Sequence, residues 1–432
     1  MRKWKRYFCL LAWMVAAGVS AQVPADSLLL ELETCQRLAQ DNYPLVRRYD
    51  LIEQARAYDL SHAAKGYLPQ LSLSGKATYQ SETTELPFDI PGIGHIGLPK
   101  DQYQVGIEVQ QTVWDGGQIR ARKRQTEAAS EVDAEKQRVD MYAVRERINQ
   151  LFFGILLLDE QLRQNDILQD DLKRTYDKVV AYMAHGVANQ SDVDAVRVEE
   201  LNASQQRVSL EVSRRAYIQM LGAFIGRNLP EDVSLRKPVP EQEDEQSVAA
   251  LPGIARPEVG WLAAQERQID VQESALKTGY LPRLGVFVQG AYGNPGLNML
   301  KDDFSAWFMA GIRLTWNFGS LYTLKDDRRL LDVKRREVEV SRDAFLFNTR
   351  LEAIRQDAQV HGLRRQMADD EEIIRLRGNI RRTAEAKVKN GTMSVTDLLT
   401  EINRESGARL AKALHEVQWL MEIWQRKHVL ND

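Results

Sequence analysis

The sequence predicts a mainly α protein with a small β part, built from long coiled-coil helical hairpins and four short strands. Three observations predict it. A unit of roughly 200 residues occurs twice, far above the period of a solenoid. Each copy holds a long proline-free helical stretch. Each also holds two segments of about ten residues that alternate between apolar and polar positions.

The repeat is read from its landmarks. Gly66-Tyr67-Leu68-Pro69-Gln70-Leu71 returns as Gly279-Tyr280-Leu281-Pro282-Arg283-Leu284, 213 residues later, and Pro44 pairs with Pro257 at the same offset. Gly106 pairs with Gly311, and Gly186 with Gly391, at an offset of 205. The difference falls between Gly66 and Gly106, where the first copy has the longer loop. The expected organisation is a signal peptide over 1–21, a first repeat over 22–226, a Pro-rich acidic connector over 227–256 and a second repeat over 257–432.

Arg2, Lys3, Lys5 and Arg6 precede an apolar run from Tyr7 to Val19 that is too short to span a bilayer. Val19-Ser20-Ala21 then supplies a small-residue cleavage site before Gln22. Cys9 lies inside the apolar run, so secretion without a lipid anchor is expected. Removing this segment takes away four positive charges and moves the net charge from −3 to −7, which argues against nucleic acid as a partner. Cys35 is then the one remaining cysteine, so no internal disulfide is possible.

Within each repeat the order reads helix, strand, strand, long helix, turn, helix. The first helix is predicted from about Glu31 to Lys65, with Gly66 as its left-handed C′ residue. Leu71, Leu73, Gly75, Ala77 and Tyr79 then share one face, as do Tyr103, Val105, Ile107, Val109 and Val113. The second copy repeats the pair, first with Leu284, Val286, Val288 and Tyr292, then with Phe308, Ala310, Ile312, Leu314, Trp316 and Phe318. Aromatic residues gather near the strand ends, as a transmembrane barrel requires. A soluble antiparallel sheet packed on helices shows the same alternation.

The helices point to an elongated molecule. A helix from Gly117 to about His185 would be ~100 Å long. Val144, Ile148, Leu151, Ile155, Leu158 and Leu162 form a coiled-coil seam along it. The second long helix, about Tyr322 to Lys389, carries a seam at Leu351, Ile354, Ala358, Ile373, Leu376 and Ile380. Each ends in a polar turn at Gly186 or Gly391, with Ser191 and Thr396 as N-cap candidates for the return helix. The prolines from Pro230 to Pro257 and the acids from Glu241 to Glu245 mark a connector on the outside of the helices.

No apolar run beyond the N-terminus is long enough for a membrane helix, so any membrane-spanning part must be β. Four strands cannot close a barrel, since the smallest such barrels have about eight. If they span a membrane, copies of the chain must close it by cyclic symmetry.

With these features in place, the chain resembles the TolC-like outer-membrane efflux family. The likeness rests on the doubled Gly-Tyr-Leu-Pro-x-Leu junction, Trp114-Asp115-Gly116-Gly117, and the paired turns Gly186 to Val193 and Gly391 to Leu398. The resemblance implies a homotrimer, a twelve-stranded β-barrel in the outer membrane and an α-helical tunnel through the periplasm. It implies a passive exit duct of a tripartite exporter, with a periplasmic adaptor, an inner-membrane transporter and outer-membrane lipid as partners. It places Gly186, Ser191 and Asp192 at one periplasmic tip, and Gly391 and Thr396 at the other, where adaptors dock. Asp397 matches an acidic gate position, whereas Thr400 stands where the archetype has a second aspartate, with Glu401 next to it. Met393 replaces a gate-locking arginine. Asp397 also fits the role of a first-turn acid stabilising its helix dipole.

The alternative reading is a soluble periplasmic coiled-coil scaffold or adaptor. Enzyme chemistry finds no support. Gly92, Gly94 and Gly97 match a dinucleotide fingerprint but open no helix, and the six histidines lack metal spacing. No catalytic residue, metal site or cofactor is expected.

Overall fold

The computed structural model describes residues 29–84, 98–240, 254–299 and 301–431. The signal peptide, the Gly92–Gly97 loop and the acidic run from Glu241 to Glu245 lie outside them. The element order is β1 (Leu29–Leu30), α1 (Leu32–Asn42), α2 (Arg48–Ala64), β2 (Gln70–Tyr79), β3 (Asp101–Trp114), α3 (Gln118–Ala184) and α4 (Gln190–Ile225). It continues with β4 (Ser234–Leu235), α5 (Pro257–Leu276), β5 (Arg283–Asn294), β6 (Ser305–Thr315), α6 (Ser320–Lys389) and α7 (Val395–Leu430).

The two long helices form as their composition predicts, α3 with 67 residues and α6 with 70. Neither contains proline, and each stops where a glycine adopts positive φ, Gly186 at 75° and Gly391 at 69°. The first helix departs from expectation. It breaks in two because Tyr43, held extended by the following Pro44, cannot continue α1. Gly66 is not a left-handed cap either. It sits inside a 3-10 turn over Lys65–Tyr67, packed on Ile119 of α3.

Four strands form one antiparallel sheet in the order β2-β3-β5-β6. Leu71 pairs with Val109, Val109 with Val288, and Val288 with Ala310, so one face is apolar across all four strands. The opposite face aligns Ser72, Glu108, Gln289 and Met309. A bulge between Thr112 and Trp114 puts Trp114 opposite Leu284, on the apolar face. Trp316 and Phe318 lie beyond the end of β6, where their rings meet at 4.7 Å. Among the described residues the outer edges of β2 and β6 have no partner strand, and the sheet does not close on itself.

The main core sits where the hairpins meet α1. Ile148, Phe152 and Phe153 of α3 pack with Leu32 of α1, Ile218 and Leu221 of α4, and Val417 and Ile423 of α7. The connector does not lie wholly outside. Val233 and Leu235 are buried in this core, because β4 pairs in parallel with β1. A second cluster, nearer the turns, joins Leu172, Val193 and Val196 to Ala384, Leu398 and Ile402.

The seams of the two long helices differ. On α3, Val144, Ile148, Leu151 and Ile155 are buried as predicted, with Leu158 and Leu162 half-buried. On α6 the predicted seam is outside: Leu351, Ile354, Ile373, Leu376 and Ile380 are all exposed. Buried positions of α6 include instead Thr349, Ala353, Gln356, Val360, Ala384 and Val388.

Candidate functional site

The two hairpin turns are built alike. Gly186 N–H donates to the Met183 carbonyl at 3.1 Å and Val187 N–H to Tyr182 at 2.9 Å. In the second turn, Gly391 donates to Val388 at 2.9 Å and Thr392 to Lys387 at 3.0 Å. Open space surrounds both glycines, so they answer to backbone conformation alone.

The return helices are capped two residues earlier than predicted. Asn189, not Ser191, caps α4, and Ser394, not Thr396, caps α7. The deciding groups are the aspartates at the third helical position. Asp192 Oδ2 accepts from the Asn189 N–H at 3.0 Å, while its own N–H donates to Asn189 Oδ1 at 3.1 Å, a capping box. Ser394 Oγ likewise donates to Asp397 Oδ2 at 2.7 Å and accepts from the Asp397 N–H at 3.1 Å. Ser191 and Thr396 are left exposed in the first turn of their helices.

The three candidate gate residues do different things. Asp397 is exposed at the turn. Thr400 donates its hydroxyl to the Thr396 carbonyl at 3.0 Å, which makes it a helix-surface residue. Glu401 is half-buried and ion-paired with Arg404 at 2.5 Å and Arg377 at 3.6 Å. Of the three, Asp397 alone presents an exposed carboxylate. Met393 packs against the apolar cluster near the turns.

An ionic cluster that sequence reasoning missed ties the hairpins together. Arg381 of α6 reaches Asp171 of α3 at 2.6 Å, Glu405 of α7 at 3.2 Å and Glu385 one turn on at 3.1 Å. Asp171 and Glu405 are buried. Burial opposes ionisation of Asp171, but hydrogen bonds from Arg381 and Arg174 outweigh it and hold the carboxyl below the usual range. Arg381 is raised above its ordinary value by the same acids against the opposing effect of burial. No local motif marks these residues, which stand among many helix charges.

At the other end, the polar face of the sheet carries an ion pair between Arg313 and Glu108 at 3.2 Å, with Arg313 over the Phe287 ring at 4.6 Å. Among the described residues no helix is long and apolar enough to cross a membrane. Among them, too, no group of His, Cys, Asp and Glu is placed to hold a metal ion.

Residues 36–227 match the family described as outer membrane efflux protein. Over these residues the chain is similar to that family. The fold extends the likeness over the rest of the chain. A membrane protein from Pseudomonas aeruginosa is similar at a TM-score of 0.68 and 14% identity, covering 94% of this chain and 91% of its own. The outer membrane protein VceC from Vibrio cholerae is similar at 0.66 and 12%, covering 92% of this chain and 95% of its own. The open state of the Neisseria gonorrhoeae MtrE outer membrane channel is similar at 0.62 and 14%, covering 92% and 88%. No curated protein matches significantly.

Proposed function

We propose that this efflux protein is a passive exit duct, a homotrimer whose three open sheets close a twelve-stranded barrel continued by an α-helical tunnel. The observation that carries the reading is the sheet itself. Its apolar face is exposed, with Leu71 and Leu73 each at 73% and Phe308 at 78%, and both of its edges are open among the described residues. Lipid suits such a face, but each unpaired backbone group there costs several kcal/mol. Pairing β6 of one copy with β2 of the next removes both edges at once. The exposed stripe on α6 then gives the helices below an equivalent seam between copies.

In this arrangement the polar sheet face lines the lumen, and the two turns lie ~100 Å away at the periplasmic tip, given the length of α3. Gly186, Ser191, Asp192, Gly391 and Thr396 would meet the periplasmic adaptor there, above the inner-membrane transporter. Three Asp397 carboxylates would form an acidic ring favouring cations. Glu401, held by arginines, would not join it.

The test is mass and conductance. The mature chain in detergent should have the mass of a trimer and should conduct in planar bilayers with cation preference. Asp397→Asn should reduce that preference. Unchanged selectivity would remove the gate role, while a detergent-free periplasmic monomer would favour a soluble coiled-coil scaffold instead.

A further inference from the structure

The first two turns of α3 run Gln118-Ile119-Arg120-Ala121-Arg122-Lys123-Arg124, four cations with no acid before Glu127. The cations recur in the second repeat, where Lys325 is the sixth residue of α6. At the offset of 205, Arg120, Lys123 and Arg124 correspond to Lys325, Arg328 and Arg329 of α6, and Glu127 to Asp332. Arg122 instead corresponds to Asp327, so the doubled cations are specific positions and not a general basic bias.

Those positions share one side of the tube. Contacts with α2 and its preceding turn, through Ile119 beside Gly66 and Gln137 on the Leu45 carbonyl, set the rotation of α3 together with the Glu131–Arg267 pair to α5. At 100° per residue, Arg120, Lys123 and Arg124 then share one side of α3. Arg122 and Gln125 face the opposite side, where both line the grooves beside α2 and α5. On α6, contacts to α5 through Leu331, Arg335 and Arg342 turn Lys325 and Arg328 away from the groove that Asp327 lines.

All six cations are exposed or half-exposed. Arg329 pairs with Asp326 at 3.4 Å. No hydrogen bond or ion pair joins the other five to any described residue. Directly above them stand Trp114, Trp316 and Phe318, each about half exposed at the helix end of the strands. By helix rise, Arg120 and Arg124 lie ~3 Å and ~9 Å along α3, a span that matches the ~5–8 Å headgroup layer of one leaflet.

We propose that this doubled basic collar binds the phosphates of anionic phospholipids in the periplasmic leaflet, anchoring the duct at a set depth. The proposal rests on the membrane placement given under Proposed function. Long cationic side chains below an aromatic belt reach headgroups readily, and an anionic surface attracts each with an energy equal to roughly a fivefold gain in partitioning.

The test uses the full mature trimer in nanodiscs of phosphatidylcholine alone or with phosphatidylglycerol, reading retained lipid by native mass spectrometry and Tm by thermal melting. Wild type should enrich the anionic lipid several-fold and melt higher in its presence. The R120Q/K123Q/R124Q/K325Q/R328Q protein should lose both effects. The charge-retaining R120K/K123R/R124K/K325R/R328K protein should keep them, and it decides the matter if the neutral protein fails to fold. Equal retention of both lipids by wild type, or undiminished preference in the neutral variant, overturns the collar. Bilayer conductance on the same samples separates that failure from failure of the channel reading, because a duct without lipid preference still conducts.

Discussion

The long helices α3 and α6 are nearly the same length and occupy equivalent places in the repeat, yet they bury different kinds of surface. α3 lies between α2 and α5 and packs on α1, α4 and α7, so its apolar seam finds partners within the chain. α6 packs on α7 and on α5, and apolar residues such as Leu351, Ile354, Leu376 and Ile380 still face outward. In the proposed trimer, one copy of the duplicated helix is interior and the other lies at the seam between subunits. The difference thus teaches that apolar periodicity reports burial in the assembly, whichever chain provides the partner.

The largest effect should come from charging the two seams. Leu376→Asp with Ile380→Asp on α6 should leave the circular dichroism of the protomer intact and abolish the trimer by light scattering. Ile148→Asp on α3 should instead unfold the protomer, because it buries an unpaired charge. If both variants behave alike, the comparison is broken.

Truncating aromatics sharpens the same contrast. Phe152 is fully buried, and Phe152→Ala should cost about 3–5 kcal/mol in denaturant melts. Phe347 is 61% exposed in the protomer, and Phe347→Ala should change the stability of a dissociated protomer by less than ~0.5 kcal/mol.

The ionic cluster that joins the two helices gives a pH signature. Arg381→Ala leaves Asp171 and Glu405 buried without their shared cation, at a cost of about 3–5 kcal/mol. Asp171 has a folded pKa below its ordinary value of 3.8, so its contribution is present above that pH and is lost as pH falls below it. Wild type should therefore show an acid-sensitive step below about pH 4 that Arg381→Gln weakens, read from Tm against pH.

The smallest effects belong to the two turns. Asn189→Ala and Ser394→Ala should each lower the melting free energy by about 1 kcal/mol. Ser191→Ala and Thr396→Ala, which cap nothing, should be near neutral. A reversed order would restore the caps predicted from sequence.

Much of the fold was legible because its signals are local. Alternation at Leu71, Leu73, Val105 and Ile107 marks strands wherever they pair, and the absence of proline from α3 and α6 permits their length. The glycines at 186 and 391 mark turns through a backbone conformation that other residues avoid. The caps were misplaced because Asn189, Ser191, Ser394 and Thr396 all have capping side chains, and only the reach of Asp192 and Asp397 decides among them. The break at Tyr43 was missed although Pro44 signals it, since the helical pattern resumes directly afterwards.

The sequence by itself determined the duplication, the strands with one apolar face, the two long hairpins and the doubled cations below the strand ends. Each depends on residues within a few positions of one another, or on the repeat offset. Tertiary structure alone decided which apolar stripe is covered, that Leu235 of the connector joins the core beside Leu30, and that Arg381 meets Asp171 across 210 positions of chain. Those outcomes depend on how distant helices rotate and which flank stays open, and neither is written in the spacing of nearby residues.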